Sequence, residues 1–369
     1  MRKQKVCMFF NDLALYRKAI YKKLDDVYDC DWYIEEIDTG VKEFNVSELK
    51  KVTRLSIHNF GVFYIVKGLS NLLKKDYDTY FMLGATRNLS LMLFCLKKKL
   101  FYPRKRIYFW THGYYGKENW LEKTFWKRPL LKAADGLFTY GDYAKRLMVE
   151  DGFDREKIFP IHNSLDYDTQ LLLRNTVKRS NIYSEHFCNN SPVIIFIGRL
   201  TKIKKLDLLI DAISLLNQKG EKFNVVMVGD GSERAMLENR VTEKELNNQV
   251  WFYGACYNEK ENAELVFNAD LCVAPGNIGL TAMHVLMFGC PAISHNNFSL
   301  QMPEFEAIRP GQTGDYFEYG SPDNLAIKIS KWFELNAERR EEVREACYQE
   351  IDSNWNPRFQ MEVIKAHLQ

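Results

Sequence analysis

Short apolar runs alternate with amphipathic stretches along the whole chain, and that alternation admits little besides parallel sheets covered by helices. In the first half the runs are VCMFF (6–10), a run centred on 32–37, TYFMLG (79–84), RIYFWTHG (106–113), GLFTY (136–140) and KIFPIHN (157–163). In the second half they are VIIFIG (193–198), NVVMVG (224–229), VWFYG (250–254), LCVAP (271–275) and CPAIS (290–294). Helix-patterned stretches separate them, among them LALYRKAIYKKL, VFYIVKGLSNLLKK and NWLEKTFWKRPLLKAA, then LDLLIDAISLLNQKG, SERAMLENRV and LTAMHVLMFG. Strands without polar alternation belong to sheets buried on both faces. The polar segment 177–192, with its Asn-Asn-Ser-Pro, breaks the pattern and places a boundary there. The expected organisation is an α/β chain of two Rossmann-like, doubly wound domains facing across a cleft, 1–177 and 178–350. A helical tail, 351–369, is expected to pack back on the first. Ligands of such sheets bind beyond the carboxyl ends of the strands.

Charge divides unevenly. Residues 1–180 hold 33 basic and 22 acidic side chains, a balance of +11, and residues 181–369 hold 18 and 26, a balance of −8. The stretch 51–132 alone carries 17 basic and 4 acidic residues, or +13. Aromatics interleave with these cations, as in FYPRKRIYFW and WLEKTFWKRP, a mixture that suits a lipid headgroup interface. The expected partner of this half is an anionic membrane surface. No helix-turn-helix, zinc or RNP signature points to nucleic acid. No stretch approaches the roughly 18 apolar residues of a membrane span, and the N-terminus lacks the apolar core of an export signal. The expected place is therefore cytoplasmic, peripheral at the inner face of the cell membrane. The eight cysteines are scattered, which excludes a zinc ribbon and a CxxC centre. His58, His162, His186 and His367 have no ligand spacing, and the tripeptides DCD (29–31), DYD (76–78) and DYD (166–168) are chance matches to a metal motif, so no metal and no other cofactor is expected.

Three strand ends of the second half carry chemistry. After VIIFIG, Gly198 lets the backbone approach a ligand, and Arg199 and Lys204 follow in a loop before a helix starting near Leu206. Two cations beside a helix start suit a diphosphate. After NVVMVG, Gly229-Asp230-Gly231-Ser232 reads as a tight turn with Ser232 as a helix cap. After LCVAP, the run Pro275-Gly276-Asn277-Ile278-Gly279 leads into a helix from about Leu280. Its first amides offer an anion site, Asn277 offers a donor and an acceptor for a sugar, and Thr281 and His284 share a helix face. His295, with Asn296 and Asn297 after CPAIS, reads as a polar group in the cleft in preference to a turn.

The order GRL-xxx-K, VGDG and PxxxGLxxxxxxAxxGxP over about 157–335 resembles the GT-B glycosyltransferases of glycosyltransferase family 4, the glycosyl transferases group 1. PIHNSLDYD (160–168) is similar to the hinge segment of that family, and WTHG carries the weaker likeness of the first half. The resemblance implies transfer of a sugar from a nucleoside-diphosphate sugar to an acceptor, with retention, the donor held by the second domain and the acceptor by the first. It implies that Arg199 and Lys204 hold the diphosphate, that Gly279, Leu280 and Thr281 present amides to it, and that backbone near Gly254 and Cys256 faces the base. His112 takes the family position near the transferred sugar. Together with the basic surface, the resemblance implies a saccharide or lipid-diphosphate-linked acceptor, in polysaccharide or lipopolysaccharide assembly.

The chain departs from that family at two points. Gly276 and His284 stand where the family has two glutamates eight positions apart. His284 is then expected to bond a ribose hydroxyl, Asn277 to take a sugar contact, and Glu304 or Glu306 to supply a carboxylate from the next loop. The first strand–helix turn, FFNDLAL, also lacks the family's glycines. Two other readings stay open: a non-catalytic relative acting as a binding or scaffold protein, and a nucleotide-sugar epimerase.

Overall fold

The computed structural model describes residues 3–37 and 42–368, which form two units. The first comprises residues 1–166 and 356–369, the second 167–355.

In the first unit the chain runs β1 (Lys5–Phe10), α1 (Lys18–Val27), β2 (Asp29–Glu35), β3 (Val52–Leu55), β4 (Ile57–Phe60), β5 (Phe63–Val66), β6 (Thr79–Leu83), α2 (Leu89–Phe101), β7 (Arg106–Thr111), α3 (Arg128–Lys132), β8 (Gly136–Thr139), α4 (Asp142–Glu150) and β9 (Ile158–Pro160). Seven strands make a parallel sheet in the order β3-β2-β1-β6-β7-β8-β9, while β4 and β5 pair as a hairpin. The central strands β1, β6, β7 and β8 are almost wholly apolar because both of their faces are covered. One face packs Phe10, Trp32, Phe81 and Trp110; the other packs Phe9, Tyr80, Phe94 and Phe109.

The second unit opens with α5 (Tyr167–Arg174) and α6 (Ile182–Phe187) and continues β10 (Val193–Ile197), α7 (Leu206–Gln218), β11 (Asn224–Val228), α8 (Arg234–Glu243), β12 (Val250–Gly254), α9 (Glu259–Asn268), β13 (Leu271–Ala274), α10 (Thr281–Met287), β14 (Ala292–His295), β15 (Gly314–Phe317), α11 (Pro322–Asn336) and α12 (Arg340–Asn354). Its six strands lie parallel in the order β12-β11-β10-β13-β14-β15. The chain then returns to the first unit as α13 (Pro357–His367). There Met361, Ile364 and Leu368 join the core, Gln360 bonds Ser164 at 2.7 Å, and the His367 ring stacks on Phe159 at 3.8 Å.

Three elements differ from the sequence reading. The units divide at 166/167 and 355/356 rather than at 177/178 and 350/351, because α5 packs on α9 and α10 and Arg174 forks onto Asp352 at 2.8 and 3.0 Å. The stretch 62–75, expected as a helix, is β5 followed by a 3-10 segment, Leu69–Lys74. Gly61, at φ +61°, opens a two-residue turn between Phe60 and Phe63 that a helix cannot contain. Ser232 does not cap α8, whose N-cap is Glu233.

One buried carboxyl fastens the hairpin and α2 to the sheet. Glu35, the last residue of β2 and 1% exposed, accepts hydrogen bonds from the Tyr64 hydroxyl at 3.2 Å and from Asn88 Nδ2 at 3.1 Å, while Asn88 Oδ1 caps α2 through the Leu91 amide. Burial pushes the Glu35 carboxyl up to about 7, against those two bonds and with the Asp12 charge. The folded state therefore keeps a proton that the unfolded chain loses near 4.5. This stabilisation is full below pH 4.5 and is lost as pH rises through 7. Glu35→Gln should remove the decline, worth about 3 kcal/mol, between these limits. Denaturant unfolding of the first unit at pH 5 and pH 8 checks it: the native chain should weaken at pH 8 relative to the variant.

Candidate functional site

The carboxyl edge of the second sheet is built by backbone lying directly on backbone. The loop after β10 crosses the loop after β13, where the Gly276 amide donates to the Lys204 carbonyl at 2.9 Å. A Cβ on Gly276 would lie 2.0 Å from the Ile203 carbonyl oxygen and 2.7 Å from the Lys204 carbonyl carbon. Gly276 is thus glycine by contact, and the position where the resemblance expected a glutamate admits no side chain. Lys204 closes the same junction, its Nζ donating to the Asn277 carbonyl at 2.6 Å.

Beneath this loop lies a buried polar brace. Ser294 Oγ donates to the Ala274 carbonyl at 2.9 Å, and Gln301 donates to Ser294 at 2.8 Å while accepting from the Ile278 amide at 3.0 Å. Gly279, at φ +54°, turns the chain into α10, and the Thr281 hydroxyl bonds the Ile197 carbonyl at 3.0 Å, tying the helix start to the end of β10 beside Gly198. At the start of α10 the Ala282 amide donates to the Gly279 carbonyl at 3.1 Å, and the Leu280 and Thr281 amides precede it.

Arg199 is exposed and Lys204 half-buried at this edge. Burial pushes the Lys204 amine down, and Arg199 adds to that effect; Cys272 and the buried Glu304 oppose it. Arg199 and Glu304 therefore each lie within electrostatic reach of Lys204. Asn277 is half-buried, with its Nδ2 3.4 Å from the Leu300 carbonyl. At the end of β12 the Gly254 carbonyl accepts from the Gly229 amide at 2.8 Å, and the Cys256 carbonyl accepts from Asn262 Nδ2 at 3.4 Å. Tyr257, next along, is almost fully exposed.

Sequence reasoning missed Glu259. Its Oε1 lies 3.0 Å from His284 Nε2 and accepts from Gln170 Nε2 at 2.8 Å. Burial works against its charge, but the bonds from His284 and Gln170 hold the Glu259 carboxyl below its ordinary range. A carboxylate is thus brought to the side chain of position 284 from α9. The two residues stand 25 apart in sequence, so no local pattern could show the pairing. His295 differs from its expectation: the ring is buried, accepts from the Asn297 amide at 3.2 Å and packs edge-on against Tyr319, so it holds the turn after β14.

In the first unit, His112 follows β7 and its ring lies 4.3 Å from Tyr140 and 5.5 Å from Tyr115. Burial, then Arg17 and Lys127, pushes the imidazole down to about 3. The ring is therefore uncharged near neutral pH, and its buried Nδ1 has no partner among the described residues. Arg17, in the first strand–helix turn, spreads its guanidinium over Trp110 at 5.4 Å and Tyr140 at 4.9 Å. This cation at a strand end is the same signal that singled out Arg199.

Residues 178–350 match the family described as glycosyl transferases group 1. A Klebsiella pneumoniae relative, described as an uncharacterized 41.2 kDa protein in the cps region, is 26% identical over 240 residues, 62% of this chain and 61% of its own length. A Mycobacterium tuberculosis GDP-mannose-dependent alpha-(1-6)-phosphatidylinositol dimannoside mannosyltransferase is 33% identical over 113 residues, 30% of this chain and 29% of its own. The chain thus spans less than two thirds of either relative. Among solved structures, the lipopolysaccharide outer core galactosyltransferase WaaB superposes with a TM-score of 0.73 at 13% identity, covering 99% of this chain and all of WaaB. Anabaena HepE in complex with UDP gives 0.71 at 15%, covering 98% and 99%. At such identities the likeness shows the fold, which is GT-B.

The seat of Gly276 has a direct consequence. Gly276→Ala should destabilise the second unit by about 2 kcal/mol through overpacking, and Gly276→Glu by more, rather than restoring a family carboxylate. Thermal unfolding measures both; a Gly276→Ala variant as stable as the native chain would show that the loop moves aside freely.

Proposed function

We propose, from the premise that residues 178–350 belong to the glycosyl transferases group 1, that this chain transfers a sugar from a nucleoside-diphosphate sugar to a saccharide acceptor in the assembly of a polysaccharide or lipopolysaccharide. The observation that carries this reading is the meeting of Arg199, Lys204 and the first amides of α10 at one strand edge. The complexes of HepE with UDP and with UDP-glucose support a donor of this class. So does the GDP-mannose dependence in the name of the mycobacterial relative.

In the reaction the bond from the anomeric carbon to the diphosphate breaks, and the acceptor oxygen bonds the same carbon. The acceptor proton passes to a diphosphate oxygen, and the nucleoside diphosphate departs. Negative charge grows on the leaving diphosphate, and Arg199, Lys204 and the amides of Leu280 and Thr281 offset it without the help of a metal ion. Attack from the leaving-group face gives retention. Neutral His112 bonds a hydroxyl of the transferred sugar, Asn277 and Glu304 contact that sugar, and Gly254 and Cys256 line the base. Glu259, through His284, takes the ribose contact. The acceptor is lipid-linked, in keeping with the basic, aromatic first half.

One observation favours a second reading. The seat of Gly276 excludes the family carboxylate, as a non-catalytic relative would allow.

A thermal-shift panel of nucleoside diphosphates and their sugars separates the two, since a ligand that binds only the folded state raises the melting temperature. One nucleotide series should shift it, and no shift with any would favour a scaffold. Arg199→Ala should lower turnover by at least about a hundredfold with the fold intact; unchanged turnover would sink the diphosphate assignment. Glu259→Gln should raise KM for the donor by about tenfold with a smaller change in kcat.

A further inference from the structure

Helix α2, LSLMLFCLKKKLF, is apolar on both of its faces. Leu91, Phe94 and Cys95 enter the core. Leu89, Leu93, Leu96 and Leu100 recur at helical spacing on the opposite face, and all four are exposed. Leu96 is 54% exposed, Leu100 62% and the following Phe101 72%. The elements that adjoin α2 expose apolar groups too. Phe63 of the hairpin stacks on Trp126 at 5.6 Å, in the π-helical turn Glu122–Lys127, and β5 and α3 both pack on α2. Phe60 and Val62 at the hairpin tip are 59% and 65% exposed, and Trp120 and Phe125 are 69% and 55% exposed. A soluble surface seldom gathers large apolar groups in this way unless something covers them.

The charge around these elements selects the occupant. They lie within 51–132, whose balance is +13, and Lys97, Lys99 and Arg104 have no carboxylate partner among the described residues. A second copy meeting this face with its own would set these unpaired cations against their like. An anionic bilayer offers the opposite charge to the cations and an apolar boundary to the leucines and aromatics. We infer that the outer face of α2, the β4–β5 hairpin tip and the turn at Trp120–Phe125 dock together into the headgroup–acyl boundary of an anionic lipid bilayer. The inference rests on the reading of a lipid-linked acceptor and assigns the surface that would bring the first unit to it.

The test is co-sedimentation of the full chain with vesicles of equal parts phosphatidylglycerol and phosphatidylcholine, and with phosphatidylcholine alone. The native chain should bind the anionic vesicles, release with salt, and shift its tryptophan emission to the blue. The double variant Leu96→Glu, Leu100→Glu should bind at least about tenfold more weakly with unchanged circular dichroism. Leu172→Glu, on α5 and 70% exposed, should bind as the native chain does. Three results overturn the inference: no binding of the native chain to anionic vesicles, equal binding by the double variant, or a concentration-dependent dimer that the double variant abolishes while vesicles bind neither protein. The nucleotide thermal shift reads the donor site independently, so a failure of lipid binding and a failure of the transferase reading are distinguishable.

Discussion

The crossing of the loops after β10 and β13 is the contact on which the donor-side edge depends. It is possible only because Gly276 has no side chain, and it fixes three things at once. The Ile203–Lys204 backbone is laid against the end of β13, Lys204 is drawn across to the Asn277 carbonyl, and the chain is aimed through Gly279 into α10. Ser294 and Gln301, both buried, then brace the loop from below. Lys204 is placed by this backbone packing, which is stiff, and its amine is held at the Asn277 carbonyl. Such preorganisation is what electrostatic stabilisation of a leaving group requires.

That rigidity also explains why the carboxylates arrive from elsewhere. With position 276 filled by backbone and position 284 by histidine, Glu259 approaches His284 from the start of α9, and Glu304 sits buried within reach of Lys204. A carboxylate beside a lysine that is already depressed by burial and by Arg199 raises the fraction of that lysine that stays charged. Both carboxylates thus come from segments other than the loop and helix that hold Gly276 and His284.

The sheets and the cations at their ends were legible in the sequence because they rest on local signals. A buried parallel strand is an unbroken apolar run, and Arg199, Lys204 and Gly279 follow such runs at once. The illegible parts are those where a distant partner decides. The stretch 62–75 carries apolar spacing that fits a strand or a helix, and the choice is made by Gly61 and by the pairing of β5 with β4. The segment 167–176 looks like the end of the first domain, yet Arg174 meets Asp352, 178 residues on. Gly276 reads as a lost glutamate in sequence and as a required glycine in three dimensions.

The split in charge gains meaning from its range. A donor diphosphate would meet a half of the chain that is negative overall, at −8, so its attraction must come from groups within a few ångströms: two cations and a helix start. The excess of +13 over 51–132 is of another kind. Several of its cations are spent internally, Lys98 on Asp135, Lys127 on Glu118 and Lys105 on backbone carbonyls, and these lock the fold. Those left over are solvated and act across roughly a Debye length, about 8 Å at physiological salt. Such a field cannot select a sugar, but it can hold a whole face near an extended anionic surface. Glu35 connects the two roles. The hairpin, with its exposed Phe60 and Val62, and α2, with Lys97, Lys99 and the exposed leucines, are fastened to the sheet through its carboxyl, by Tyr64 and Asn88.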